Sequence, residues 1–272
     1  MGLRINTNVP ALITSRAIDR STRELNQSLE RLSSGLRINR AADDAAGLAI
    51  AEGFRTQVRG SQIAQRNAQD GINLVQTAEG ALGETTNILQ RIRELAVQAA
   101  NGTQTSTNRI ALNNEVQQLI AQVEDIALDT EFNGISVLSS NQSLTLQTGA
   151  NTGQNLQVAI GAARTSDLRI SAINVSAIGT AVSAINTIDS ALNSVNTLRS
   201  TLGAIQNRLE FTVNTLAIQE ENAAASESSI RDADIARETI QFTRNQILVN
   251  AGVSVLTQAN VTPQAALQLL ST

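Results

Sequence analysis

Residues able to carry chemistry are scarce in this chain. His, Cys, Lys, Tyr and Trp are absent, and all 20 basic residues are Arg. Most designs for a general base, a nucleophile or a zinc site therefore have no residues to build with. The metalloprotease pattern H-E-x-x-H is impossible without His. One Gly-rich loop, TGANTGQN at residues 148–155, invites a phosphate-binding reading. It lacks the Gly-Lys-Ser/Thr ending that cradles a nucleotide, so nucleotide binding carries little weight. Met1-Gly2 opens like an acylation signal, but position 6 is Asn6, where Ser or Thr is needed. No enzyme, no metal and no cofactor are expected. Disulfides are excluded by the missing Cys.

The composition points to a structural chain instead. Within 272 residues, four Phe are the only aromatics, and Pro occurs only at Pro10 and Pro263. A rounded core of this size normally uses more rings, each burying a large area. Ala, Leu, Ile and Val in long Pro-free runs suit long helices packed in thin layers. The net charge is −4 with no basic block, so no nucleic-acid partner is expected. No window approaches eighteen apolar residues, and the first twenty residues lack a continuous apolar stretch. Neither a membrane span nor a secretory signal peptide is expected. Membrane-active helices would need basic polar faces and aromatic anchors, which both ends lack.

Periodicity supplies the elements. Residues 4–34 read as one helix, with Ile5, Val9, Leu12 and Ile13 opening its apolar face and Pro10 placed to kink or restart it. Ile18, Leu25, Leu29, Leu32 and Leu36 continue the stripe, with Thr22 beside them, as a heptad seam that needs a partner helix. Ser33-Ser34-Gly35 stops the helix, Arg37 and Arg40 follow without periodicity, and Asp43-Asp44 cap the next helix. Residues 44 to about 100 read as a very long helix. Val75, Leu82, Leu89 and Ala96 hold one seam position, Ala78, Thr85, Ile92 and Ala99 the other, with Ile88 and Leu95 beside them. Asn101-Gly102 ends it, and Ser106 or Thr107 caps a third helix with the stripe Leu112, Val116, Leu119, Val123 and Ile126. The short connection makes it an antiparallel neighbour.

Phe132-Asn133-Gly134 then signals a turn. Alternation at Ile135 and Val137, at Leu144 and Leu146, and at Leu156, Val158 and Ile160 predicts two or three short strands. Residues 161–178 read as a loop. A long helix begins near Gly179, with Ile188, Val195, Leu202, Leu209 and Leu216 at one heptad position and Ala191, Leu198, Ile205 and Thr212 at the other. Like the stretch around Arg37 and Arg40 after the first helix, residues 221–229, polar and Ala-rich, read as a spoke joining helices. A last helix starts at Ser228-Ser229, with an apolar face at Ile240, Ile247, Leu248, Ala251, Val255 and Leu256. Thr262-Pro263 restarts its final turns, and Leu267, Leu269 and Leu270 close the chain.

The stretch at residues 25–54, LNQSLERLSSGLRINRAADDAAGLAIAEGF, resembles the signature of bacterial flagellins. So do LQRIRELAVQAANGT (89–103), EFNGISVL (131–138), QTGANTGQ (147–154), IRDADIARE (230–238) and QANVTPQAALQLL (258–270). The expected fold class is mainly α: a long antiparallel helical rod with heptad packing, a small β-hairpin region, and a coiled coil of the two terminal helices. Residues 1–43 with 227–272 are expected to form an inner filament-core domain. Residues 44–226 are expected to form the outer rod, with short hairpins near 135–160.

The resemblance implies a minimal flagellin, a structural subunit that self-assembles into the flagellar filament for motility. Uncovered seams at both ends fit assembly around an axis, since copies added by a non-closing rotation bury them in a helical polymer. Ile18, Leu25, Leu29, Leu32, Leu36, Ile240, Ile247 and Leu256 are the expected packing residues of the filament core. Similarity to the family further implies export of unfolded subunits through the flagellar export apparatus, with a secretion chaperone on the C-terminal segment. It implies polymerisation at the tip beside the filament cap and hook-associated proteins, giving a secreted, extracellular filament. Flagellins that activate the vertebrate receptor TLR5 share an Arg, a Leu and a Glu that match Arg91, Leu95 and Glu115, with Gln98 and Leu112 nearby. Leu267, Leu269 and Leu270 resemble the segment sensed by cytosolic NAIP receptors. A hook–filament junction protein is the alternative, sharing the terminal helices but differing in the middle, where EFNGISVL and QTGANTGQ favour flagellin.

Overall fold

The computed structural model describes the backbone of residues 7–270 and side chains through residue 261. Leu267, Leu269 and Leu270, and Ile5 at the other end, fall outside the described side chains. Five helices and four short strands follow in order: α1 (Val9–Ser34), α2 (Ala45–Ala100), α3 (Ser106–Asp129), β1 (Glu131–Phe132), β2 (Ile135–Ser136), β3 (Gln142–Gln147), β4 (Asn155–Ile160), α4 (Ile178–Arg231) and α5 (Ile235–Leu270). Two compact units divide the chain. One, the split unit, joins residues 1–56 with 222–272; the other, the middle unit, spans 57–221.

The middle unit holds the hydrophobic core. All eight heptad residues of α2, from Val75 to Ala99, are essentially inaccessible to solvent. They meet Ile188, Ala191, Val195, Leu202, Ile205 and Leu209 of α4 in one continuous apolar cluster. The α2–α4 pair is antiparallel, as Arg93 Nε to Asp189 Oδ1 at 2.6 Å and Gln62 Nε2 to Glu220 Oε1 at 2.7 Å show. Along α3 the buried line is Val116, Ile120, Val123 and Ala127. The expected stripe shares Val116 and Val123 with it, whereas Leu112, Leu119 and Ile126 are only half-buried.

Two separate hairpins replace the expected two or three strands: β1 with β2, and β3 with β4, each antiparallel. Asn133 and Gly134, at φ 53° and 74°, form the two-residue turn between β1 and β2, a conformation that Asn-Gly adopts at low cost. Gly71 admits the second hairpin. A Cβ there would lie 2.3 Å from Leu146 Cδ1, so any larger residue would push that side chain aside.

The loop at 161–177 is not a loose connection. Ala163, Leu168, Ile170, Ile173 and Val175 are all buried. Side chains of α3 satisfy its backbone: Asn113 Oδ1 accepts from Val175 N at 2.9 Å, Gln117 Nε2 donates to Ile173 O at 2.7 Å, and Glu124 Oε2 accepts from Thr165 N at 2.8 Å. Buried irregular backbone requires such partners.

The split unit pairs α1 with α5 antiparallel. Helix α1 starts at Val9, not at residue 4. Asn8 is its N-cap, accepting from Ala11 N, and Pro10 sits in the first turn, where its missing N–H costs nothing. No kink is needed. Gly35, at φ 72°, ends the helix and returns its N–H to Arg31 O at 2.8 Å.

Three expectations about the C-terminal half are corrected. The Ala-rich segment 221–229 is not a spoke; it continues α4 to Arg231, as its high helix propensity favours. The break falls at 232–234, where Asp234 caps α5 by accepting from Arg237 N at 3.1 Å. Helix α5 then runs through Pro263 without restarting.

Candidate assembly surface and the Arg91 cluster

The seam inside the split unit differs from the apolar stripe read from the sequence. On α1 the inward line is Ala11, Ile18, Leu25 and Leu32, alternating with Thr14, Ser21 and Ser28. On α5 it is Phe242, Val249 and Leu256, alternating with Glu238, Asn245, Gly252 and Ala259. Half of this interface is polar or small. Ser28, Glu238 and Asn245 are more deeply buried than any large apolar residue around them.

Consequently the large side chains point elsewhere. Leu29 is 55 % exposed, Ile240 70 % and Ile247 61 %, joined by Leu12, Ile13, Leu248, Val253 and Val255. Of the expected filament-packing residues, Ile18, Leu25, Leu32, Leu36 and Leu256 are half-buried within the chain, while Leu29, Ile240 and Ile247 lie open. An apolar groove on α5 is lined by Ile240, Thr243, Ile247 and Leu248. Among the described residues, only Ile38, Ala51 and Ala223 are buried apolar groups in the whole split unit. A surface this apolar marks an interaction site.

Where the helices break, backbone pairing closes the unit. Leu36 bridges Asp232, Arg37 N donates to Arg231 O at 2.7 Å, and Ala233 N donates to Gly35 O at 2.9 Å. Asp43 Oδ2 accepts from Asn39 N and Arg40 N at 3.1 and 2.9 Å, bonds that hold its carboxyl below the usual range. Asp44 caps α2 through Gly47 N at 2.8 Å. Arg40 pairs with Glu30 at 2.9 Å, and Arg231 with Glu52 at 3.0 Å. The charged residues of the 25–54 signature are thus occupied within the chain.

A second cluster lies where α2 faces α3. Arg91 Nη2 and Nε both reach Glu115 Oε1, at 2.9 and 3.2 Å, and Nη1 reaches Glu94 Oε2 at 3.1 Å. The Glu115 bond, first among these, raises the Arg91 pKa further above its ordinary value, so the charge is permanent. Arg91, Gln98 and Glu115 are exposed, Leu112 is half-buried, and Leu95 is 1 % exposed. Leu95 therefore belongs to the core between the helices, with Arg91 and Glu115 above it. The cluster offers charge and hydrogen bonds but no nucleophile or base. No carboxylate group among the described residues is arranged to hold a metal, and no helix of the described residues is long and apolar enough to cross a membrane.

Residues 5–143 match the model of the bacterial flagellin N-terminal helical region, and residues 185–270 match that of the C-terminal helical region. The chain belongs to the flagellin family. It is 47 % identical over 269 residues to a flagellin of Halalkalibacterium halodurans, covering 98 % of this chain and 99 % of the relative. Against the flagellar filament 31.3 kDa core protein of Treponema maltophilum it is 43 % identical over 283 residues, covering 98 % and 99 %. The crystal structure of Bacillus cereus flagellin shares 34 % identity and a TM-score of 0.50, covering 56 % of this chain and 88 % of that one. Flagellin is a structural filament protein and not an enzyme, so this chain is a filament subunit.

Within this flagellin, two functional residues escape a sequence reading. Arg109 is buried and donates to Ala99 O at 2.9 Å and Asn101 O at 3.1 Å, closing the C-terminal end of α2. Glu124 ties the 161–177 loop to α3. Neither sits in an apolar pattern. Arg109 leaves a faint signal, a cation in the first turn of α3, seven residues after the Asn101-Gly102 helix stop.

Proposed function

We propose that the split unit is the inner, core-lining domain of the filament and the middle unit its outer layer. The observation that carries this reading is the imbalance of burial. The middle unit has its own continuous core, whereas the split unit keeps its large apolar residues on the outside. Fixing a residue's backbone costs about 1–2 kcal/mol, and a helix pair with so little buried apolar area offsets that cost poorly. Neighbouring copies supply the missing burial, as a helical array of identical subunits does. Coupled folding and assembly follow, which suits a subunit exported unfolded and polymerised at the distal end of an extracellular filament. A secretion chaperone on the C-terminal segment, and contact with cap and hook-associated proteins, complete that life cycle.

The Arg91 cluster supports recognition by TLR5. Arg91, Gln98 and Glu115 present a charged, exposed face, and Leu95 and Leu112 fix it from beneath. Arg is favoured in such contacts because its planar fork binds while its charge persists.

The deciding experiment is electron microscopy of the purified protein at rising concentration, with limited proteolysis of monomer and polymer. Regular filaments, with α1 and α5 cleaved first in the monomer and spared in the filament, are expected. Equal resistance of the ends in both states would contradict coupled folding and assembly.

A further inference from the structure

The apolar part of the α1–α5 seam does not by itself define a register. Ala11, Ile18, Leu25 and Leu32 repeat every seven residues, and so do Phe242, Val249 and Leu256. Sliding one helix by a heptad would set each large apolar residue opposite a small or polar one again. Yet four ties hold a single antiparallel register from end to end. Asn8 Nδ2 donates to Ala259 O at 2.9 Å, Ile18 packs on Gly252, Arg31 Nη1 meets Glu238 Oε1 at 3.3 Å, and Leu36 bridges Asp232.

Two of these ties discriminate within the seam. A Cβ at Gly252 would lie 2.6 Å from Ile18 Cγ1, so Ile18 fits opposite glycine and not opposite the residues a heptad away, Asn245 and Ala259. Glu238 is 8 % exposed, and its charge needs a cation. In the observed register it has Arg31; a heptad slip in one direction would bring Arg31 to Asn245 and leave the buried carboxylate unpaired. In the other direction Arg31 would meet Arg231. Ser28 and Asn245, buried beside this pair, add no apolar gain to any register.

We propose that the Arg31–Glu238 ion pair and the Ile18–Gly252 contact act together as a register lock for the two terminal helices. The lock trades seam apolarity for a single alignment, and thereby fixes which outward residues of α1 stand beside which of α5. A slipped pair would present Leu29 and Ile247 to neighbouring copies in the wrong relation, so one register per subunit is what a regular polymer needs.

Because the chain has no Cys, introduced cysteine pairs report the alignment cleanly. Ser21→Cys with Val249→Cys tests the observed register, since these positions lie three residues from Ile18 and Gly252. Ser21→Cys with Leu256→Cys tests the one-heptad slip. Both are read as disulfide yield in monomer and in sedimented polymer of the full chain. In the native background the first pair is expected to cross-link and the second not. In the background Arg31→Met, Glu238→Leu, Gly252→Ala the preference is expected to fall by about tenfold or more. Arg31→Glu alone should also lose it, and the swap Arg31→Glu with Glu238→Arg should restore it, a rescue that general loss of folding cannot imitate. An unchanged preference in the triple variant would overturn the proposal. A charge swap that fails to recover what Arg31→Glu lost would overturn it too, including when the triple variant forms neither cross-link.

Discussion

Arg91 on α2 and Glu115 on α3 are each other's partner: two guanidinium N–H groups converge on one carboxylate oxygen, Glu115 Oε1, at 2.9 and 3.2 Å. The pair lies at the surface over the buried Leu95. Removing both members frees only Glu94, an exposed carboxylate that solvent can hydrate. Arg91→Ala with Glu115→Ala should therefore leave the helix content and unfolding midpoint of the monomer nearly unchanged, since exposed pairs contribute little to stability. TLR5 activation in reporter cells should fall strongly, because an Arg within an interface is a frequent source of binding energy. Leu95→Ala is the poorer probe, as it opens a cavity in the rod. Undiminished activation by the double variant would remove these residues from the receptor site and leave the filament assignment standing.

The middle unit should fold alone. A fragment of residues 57–221 keeps the apolar cluster that joins α2, α3, both hairpins, the 161–177 loop and α4. It is expected to be helical by circular dichroism, to unfold cooperatively, and to stay monomeric on sedimentation at concentrations where the full chain polymerises. Filaments from this fragment would show that the terminal helices are not the assembly element.

The contrast between the two units also explains which parts of the fold were legible in the sequence. In α2 and α4 most seam residues are apolar at a strict seven-residue spacing and buried, with Leu198 and Thr212 half-buried. In α5 the large apolar stripe faces outward, whereas in α1 Ile18, Leu25 and Leu32 face the partner helix and Leu29 lies open. Leu29, Ile240 and Ile247 point outward, while the inner lines carry Ser28, Glu238 and Asn245 among their half-buried apolar residues. A sequence pattern shows where apolar residues lie, not which neighbour covers them, and among the described residues none covers this stripe. The 161–177 loop was opaque for another reason. Its burial depends on Asn113, Gln117 and Glu124 of α3 reaching its backbone, a relation with no periodicity. Arg91 and Glu115 lie off the buried lines of α2 and α3, and their direct bond depends on the α2–α3 spacing, which the sequence does not show.

Arg109 offers a test of the end of α2. Its guanidinium is the partner of two carbonyl oxygens, those of Ala99 and Asn101, in a buried site. Arg109→Leu preserves some packing and removes both donors. The cost is expected at about 1–3 kcal/mol, the penalty for buried polar groups left without partners. Urea unfolding of the monomer should show a lower midpoint with an unchanged slope, whereas Arg93→Leu, at an exposed ion pair, should barely shift it.

Acid should loosen the 161–177 loop through Glu124. The Thr165 hydroxyl, at 2.6 Å, is the main cause of its lowered pKa, followed by the Thr165 N–H and Arg164, with partial burial opposing them. A carboxylate whose pKa is lower folded than unfolded adds stability above its ordinary value of 4.5, and loses it as pH falls through the lowered folded value. Monomer stability should thus decline below about pH 4.5. Glu124→Gln should be less stable at neutral pH and decline less steeply with acid. Parallel pH profiles for the two proteins would show that Glu124 does not hold the loop.

The exposed faces of the terminal helices supply the last test. Ile247 is 61 % and Leu29 55 % exposed in the free chain, so Ile247→Asp or Leu29→Asp should alter monomer stability by no more than about 0.5 kcal/mol. In a filament the same side chains are expected to be covered by neighbours, and full burial of one Leu or Ile contributes about 1.5–3 kcal/mol. Placing a carboxylate there forfeits that gain and adds the cost of desolvating a charge. Since about 1.4 kcal/mol changes an association constant tenfold, the critical concentration for polymerisation should rise by at least that factor for either variant. Glu221→Ala, at an exposed polar position of the middle unit, should leave it unchanged. The measurement is sedimentation of polymer against total protein, with circular dichroism of the monomer as control. If Ile247→Asp and Leu29→Asp polymerise at the native critical concentration, these faces remain in solvent in the filament and the split unit finds its burial elsewhere.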